Sequence, residues 1–165
     1  MKKINLLKPL LLLIAVFTFS MCEEAGDIQF VIADDFDTTV AINGLQGETS
    51  YAFNTNDIDV NDLLENASEF LTADVESVTL ALENYSGAAI SGNISVMAGP
   101  IPLFSKNVAL SSTPVAVEIP ASASNILSIL SSGLFTATIS GATSAPIADD
   151  NFDIKMTFRI KATVE

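Results

Sequence analysis

The sequence predicts an all-β chain folded as an antiparallel β-sandwich with two short helices, and three observations carry that prediction. Apolar and polar residues alternate over most of the chain, turn-forming residues recur between the alternating runs, and small residues (Ala, Ser, Thr) are interleaved through them. Many short strands separated by turns at intervals of roughly ten residues indicate a sandwich or a barrel, and the sandwich is the expectation taken here.

The last segment gives the clearest strand. Ile154, Met156, Phe158, Ile160, Ala162 and Val164 alternate with Lys155, Thr157, Arg159, Lys161 and Thr163. Successive strand residues point to opposite faces, so the segment has one dry face and one cationic wet face. The three cations are expected to neutralise acids on a neighbouring strand, because opposite charges directly across a sheet attract. Further strands are predicted over 28–33, 38–43, 50–53 and 75–83, with Val78, Leu80 and Leu82 inward. The remainder lie over 90–97, 103–110, 115–119 and 134–140, with Val115, Val117 and Ile119 inward.

Asn43-Gly44 is a hairpin-type turn signal, since both residues tolerate positive φ. Ser86-Gly87, Gly99-Pro100, Pro114, Pro120 and Ser140-Gly141 mark further breaks. Two helices interrupt the strands. Asn61 reads as an N-cap followed by acids, with Leu63, Leu64, Ala67, Phe70 and Leu71 at helical spacing. The second starts near Ser124, carries Ile126, Leu127, Ile129 and Leu130 on one side, and ends at Gly133.

Several chemistries lack their residues. The 165-residue chain has no His, no Trp and one Cys. A Ser or Cys triad, His-based acid–base catalysis and an ordinary zinc site are therefore not available, and no catalytic, cofactor-binding or metal-binding residue is assigned. Gly44-Leu45-Gln46-Gly47 lacks the strand-to-helix setting and the Lys of a phosphate cradle. Carboxylates abound, yet no Trp platform for a sugar accompanies them. The expectation is a protein that is not an enzyme.

Three acidic groups invite a calcium reading: Asn54, Asn56, Asp57, Asp59, Asn61 and Asp62; Asp149, Asp150, Asn151 and Asp153; and Asp34, Asp35 and Asp37. Asp57-x-Asp59-x-Asn61 opens like an EF-hand loop, but Asp62 stands where that loop needs Gly and Ser68 where it needs the bidentate Glu. The competing reading treats these residues as turn formers and caps on an acidic surface.

The amino-terminal segment supplies the one assigned site. Met1-Lys2-Lys3 precedes the apolar run Leu10 to Phe17, and Cys22 follows where cleavage of a secretory leader would fall. Lys8 and Pro9 interrupt the run, leaving it short of the roughly 20 apolar residues of a spanning helix. Residues 1–22 resemble the signal peptide of bacterial, Bacteroidetes-like lipoproteins, in which a peptidase cuts before a cysteine acylated on sulfur. Met21 departs from that pattern, which places Gly or Ala before the cysteine. The resemblance implies lipidation of Cys22 with palmitate-type chains and a bilayer as partner; a free or buried thiol and an uncleaved anchor are the other readings of Cys22. Glu23, Glu24 and Asp27 are similar to the acidic export signal of such lipoproteins, implying outer-membrane localisation facing the cell exterior; a solvated spacer is the alternative.

The organisation expected is thus a signal peptide over 1–21, an acidic tether over 22–27 and one domain over 28–165. Cleavage before Cys22 removes Lys2, Lys3 and Lys8 and no acid, leaving four basic residues against 20 acidic ones, a formal charge of −16. Nucleic acid is excluded as an expected partner, because phosphate contacts need clustered cations. In general style the domain is similar to small Ig-like envelope lipoproteins and adhesin modules, which implies an Ig-like sandwich without naming a partner. Asp37-Thr38-Thr39 also resembles the O-glycosylation acceptor of Bacteroidetes-like bacteria, with an ordinary strand start as the alternative. Two functions remain open: a membrane-tethered binding or structural module for an unknown envelope protein or extracellular ligand, or a carrier of an apolar ligand held between the sheets.

Overall fold

The computed structural model describes residues 29–61, 70–130 and 133–165. Its elements, in order, are β1 (Phe30–Asn43), β2 (Ser50–Asn54), β3 (Ile58–Asp59), β4 (Phe70–Glu83), β5 (Ile90–Ala98), β6 (Ile101–Leu110), β7 (Val115–Glu118), α1 (Leu127–Leu130), β8 (Leu134–Phe135), β9 (Ala137–Thr143) and β10 (Asn151–Val164). The predicted all-β antiparallel sandwich is present. One sheet runs β1-β10-β4-β7, the other β2-β9-β5-β6, and β3 pairs with β8 in a small third sheet. Every pairing is antiparallel.

The connectivity follows from one regularity. β1 pairs with β10, β2 with β9, β3 with β8, β4 with β7 and β5 with β6, so the numbers of each pair add to eleven. The chain is one long antiparallel hairpin whose tip is the turn at Gly99-Pro100. Rolling that ribbon up brings β10 beside β4 and β9 beside β5, and closes two four-stranded sheets. This is jelly-roll connectivity within the sandwich class. Gly99, at φ +52°, takes the first central position of the two-residue turn, where a positive angle matches the twist of the flanking strands.

The strands exist because their inward positions are apolar with period two. Ile154, Met156, Phe158, Ile160, Ala162 and Val164 are all buried, as are Val78, Leu80 and Leu82 of β4. They face Ile90, Ile94, Val96 and Ile139 of the other sheet in one continuous core. Val117 and Ile119 are buried as expected, whereas Val115 is half-buried because β7 is a short edge strand.

Five local readings are corrected. The predicted strands over 28–33 and 38–43 become the single strand β1 from Phe30 to Asn43, with Asp34, Asp35 and Asp37 within it and Ile28 outside the described residues. Phe70 and Leu71 open β4 instead of closing a helix. Phe70 sits opposite Val164, and the long register with β10 outweighs local helical spacing. Asn61 is helical, and the remainder of the predicted first helix falls on 62–69, which lie outside the described residues. Asn43-Gly44 turns the chain with Gly44 at φ +77°, but it leads across to the second sheet and joins no neighbouring strands. The strand expected over 134–140 divides at Thr136 into β8 and β9. Ser140-Gly141 lies inside β9, where glycine is required because the ring of Tyr51 covers it: an added Cβ would sit 2.6 Å from Tyr51 Cζ.

The second helix is present as α1, but it begins at Leu127 and not near Ser124, because Asn125 bridges to Asp74 of β4 and holds 124–126 beside that strand. Asn125 Oδ1 accepts the amide of Leu127, and Gly133 (φ +71°) donates to Leu130 O, capping the two ends. Together α1, β3, β8, the Gly99-Pro100 turn, the start of β1 and the end of β10 form one end of the sandwich. Backbone bonds Ile126 N to Ala73 O, Val60 N to Gly133 O and Gly99 N to Thr136 O tie it together. The loops 44–49, 84–89, 111–114 and 144–150 form the opposite end, tied by Gly44 N to Asp150 O and Leu82 N to Ser111 O.

Candidate functional site

Cys22, the assigned lipidation residue, lies outside the described residues, as do Glu23, Glu24 and Asp27. It precedes the first residue of β1 by eight positions, and this fixes which end of the domain a tether would reach.

The outward face of β1, β10 and β4 carries the densest chemistry. Lys155 Nζ lies 2.8 Å from Asp37 Oδ2, and Arg159 Nη1 lies 3.1 Å from Asp35 Oδ1. On the other side Glu76 takes both Arg159 Nε at 3.5 Å and Lys161 Nζ at 3.6 Å. The cations of β10 therefore pair with acids of both neighbouring strands, as the alternation predicts. Glu76 can serve two cations because of a bulge. Arg159 is opposite Ser77 and Ile160 opposite Val75, so Glu76 is the extra residue of β4 and re-aims its carboxylate over β10. The donors Lys155 and Thr157 hold the Asp37 carboxyl below its ordinary pKa, and Asp37 in turn raises that of Lys155.

Beside this ladder runs an open groove of about 630 Å³, lined by Thr72, Asp74, Glu76, Glu118, Ser124 and Lys161 among others. Sequence reasoning missed it. The bulge and the passage of 119–126 beside β4 create it, and the break at Pro120 was its only local sign. Ser124 Oγ donates to Asp74 Oδ1 at 2.8 Å, a bond that pins the crossing segment. Ser124 Oγ also lies 3.2 Å from Ala121 O, so the hydroxyl joins the crossing segment to β4.

Several members of the other acidic groups act as caps and turn ties, while Asp62 and Ser68 lie outside the described residues. Asp149 accepts both the amide and the hydroxyl of Ser86, which lower its pKa. Asp153 accepts Asn84 Nδ2 at 2.7 Å, Asp59 accepts the amide of Asn61, and Asn54 accepts the hydroxyl of Thr138. Among the described residues no group of three or more His, Cys, Asp or Glu is placed to hold a metal ion. Asp37-Thr38-Thr39 lies within β1, where Thr38 is half-buried and Thr39 exposed opposite Lys155.

The second sheet differs in kind. Its four strands contain one charged residue, Lys106, and that residue stands opposite buried Ile94, on the inward side. The outward positions are Ser50, Asn54, Thr138, Ser140, Ser91, Asn93, Ser95, Ser105 and Asn107, with small apolar residues between. Ser95 Oγ bonds Ser105 Oγ at 2.8 Å, and Ser105 bonds Asn93 Oδ1 at 3.0 Å. Lys106 reaches across the open side of the sandwich to Glu118 O of β7 at 3.3 Å, over a cleft of about 570 Å³. An inward charge at this place opposes edge-to-edge pairing of β6 or β7 with another chain.

The chain matches no protein-family profile and no curated protein. It is similar in structure to Turnip Yellow Mosaic Virus (TM-score 0.43, 13% identity, 82% of this chain and 94% of that one). Desmodium Yellow Mottle Tymovirus (0.38, 11%, 86% and 85%) and FLHE (0.35, 5%, 81% and 97%) are also similar. None of the three is close enough to transfer a function.

Proposed function

We propose that this protein is a non-enzymatic, lipid-anchored module of a bacterial cell envelope, held in the outer membrane by acyl chains on Cys22. Its sandwich then serves as a binding or structural unit for an envelope protein or an extracellular ligand. The observation that carries the reading is the place of the only cysteine, between a lysine-tipped apolar leader and an acidic stretch. The described fold is consistent with this division, since β1 begins just beyond the acidic stretch. Among the described residues no helix is long and apolar enough to cross a membrane.

The alternative, a carrier of apolar ligands, needs room between the sheets. Phe158, Met156, Leu80, Ile94 and Ile139 are buried there, with Phe135 and Phe158 in edge contact at 5.7 Å. Of the two largest clefts described, one lies on the charged face and the other at the solvent-open edge between β6 and β7, beside this packed layer. This favours the tethered module. The test is the intact mass of the amino-terminal peptide from a host that processes lipoproteins. An acylated cysteine at its first position is expected; an unmodified thiol, or a start elsewhere, would overturn the reading. Cleavage of the protein on intact cells by an impermeant protease is the expected sign of surface display, and protection from it would refute that part.

A further inference from the structure

The large hydrophobic side chains that stand exposed among the described residues are Phe30 (58%), Val31 (63%) and Leu134 (42%), and all three belong to the same end of the sandwich. Phe30 and Val31 start β1. Leu134 lies in β8, which pairs with β3 at that end. Phe30 and Val31, as neighbours on a strand, point to opposite faces, so the start of β1 presents an apolar side chain on each face. The loops of the opposite end carry none of these exposed apolar groups and hold Glu48, Asp149 and Asp150, while Asp57 and Asp59 are the exposed acids in and beside β3 at the Phe30 end.

Chain length says what meets this tip. Eight Cα-to-Cα steps separate Cys22 from Phe30, and at about 3.5 Å each they span no more than about 28 Å. β1, with 14 residues, is about 46 Å long. A sulfur fixed in a membrane therefore holds the Phe30 end close to the lipid, while the loops of the other end can touch it only if the domain lies flat. Building on the lipid-anchor reading, we propose that the end bearing Phe30, Val31 and Leu134 docks on the bilayer surface itself. The domain then stands upright, and the loops 44–49, 84–89, 111–114 and 144–150 project toward partners. The lipid it fits is zwitterionic, because a mature chain of charge −16 is repelled by anionic headgroups. Apolar side chains supply the contact by entering the boundary between headgroups and acyl chains.

The chain contains no Trp, so a single introduced Trp is an unambiguous reporter. Acylated Phe30→Trp, Val31→Trp and Glu48→Trp proteins are reconstituted separately into phosphatidylcholine vesicles with and without bromine on the upper acyl carbons. Fluorescence of the Phe30→Trp and Val31→Trp proteins should fall by roughly half or more, as for rings about 5–10 Å into the interface, while that of Glu48→Trp should not change. Flotation with the vesicles is read in the same samples. Proteins that float without quenching at positions 30 and 31 keep the anchor and overturn the docking. Quenching at both ends means a domain lying flat and also overturns it. An unmodified Cys22 by mass, with no flotation, removes the anchor reading and this inference with it.

Discussion

Replacing Tyr51 by phenylalanine deletes one oxygen and leaves the ring in place, and the structure gives that change a definite sign. Tyr51 lies in β2, stacks on Phe53 with centroids 6.2 Å apart and covers Gly141. Its hydroxyl is buried with no hydrogen-bond partner among the described residues. In the unfolded chain that hydroxyl is hydrated, so folding strips it of a partner at a penalty of about 1–3 kcal/mol. Tyr51→Phe should therefore stabilise the domain by about 1 kcal/mol, moving Tm up by about 3 °C for a domain of this size. Urea denaturation followed by circular dichroism should show a higher midpoint and an unchanged slope. A second arm is independent. Burial pushes the Tyr51 pKa from 10.0 up to about 12, so the unfolded state loses the proton first as pH rises. Stability from this group is complete below pH 10 and falls between about 10 and 12, by at most about 2.7 kcal/mol for a two-unit gap. The phenylalanine variant should lack that fall. A variant less stable than the parent at pH 7, or one with the same alkaline loss, would refute the reasoning.

Two further predictions rest on other contacts. An alanine Cβ at position 92 would meet only backbone, the carbonyl oxygen of Ala142 at 2.1 Å and Thr143 Cα at 2.7 Å, whereas at 141 its nearest obstacle is the ring of Tyr51 and its backbone contact, Asn93 O, is longer at 2.8 Å. Gly92→Ala should thus destabilise by about 3 kcal/mol or more and Gly141→Ala by less, measured by urea midpoints; the opposite order would be evidence against the β5–β9 register. Asp37 has a lowered pKa through Lys155 and Thr157, so its stabilisation is complete well above its ordinary value of 3.8 and is lost as pH falls through the depressed folded value. Asp37→Asn should remove that part of the acid-limb slope and leave the alkaline limb affected only through Lys155, whose raised pKa adds stability that is lost as pH rises through its folded value above 10.5. Thermal melts from pH 2 to 7 with an unaltered acid limb would show that the pair contributes nothing measurable.

β10 was readable residue by residue because a strand buried on one face writes its orientation into strict alternation, and a slip by one residue would bury three cations. Its ion pairs were readable in kind, since cations at every second position need acids beside them. The partners were not. Asp35 and Asp37 looked like turn formers, and only the pairing of β1 with β10, more than a hundred residues away, turns them into strand residues. Strand order was hidden for the same reason: nested pairing is a long-range property, and local alternation cannot choose between sandwich connectivities. Glycine carried the opposite trap. Ser140-Gly141 reads as a break, but the glycine is there to admit the ring of Tyr51. The groove beside Glu76 needed a bulge that no periodicity announces.

The two outward faces differ because the four basic residues among the described residues are unevenly placed. Lys155, Arg159 and Lys161 stand on one face of one strand near the centre of a sheet, and they draw Asp35, Asp37 and Glu76 toward them. Lys106 is spent at the open edge. The sheet of β2, β9, β5 and β6 is left with hydroxyls and amides and no outward charge. A partner approaching the first face must separate exposed ion pairs that are worth at most about 1 kcal/mol each but are linked through shared Glu76 and Arg159. The second face carries hydroxyls and amides that bond one another, Ser95 with Ser105, Ser105 with Asn93 and Thr138 with Asn54, without the repulsion that the rest of an acidic surface exerts on an anion. Charge placement in the sequence therefore divides the molecule into a face of linked ion pairs and a face of uncharged polar groups, with the end bearing Phe30 and Val31 set apart from both.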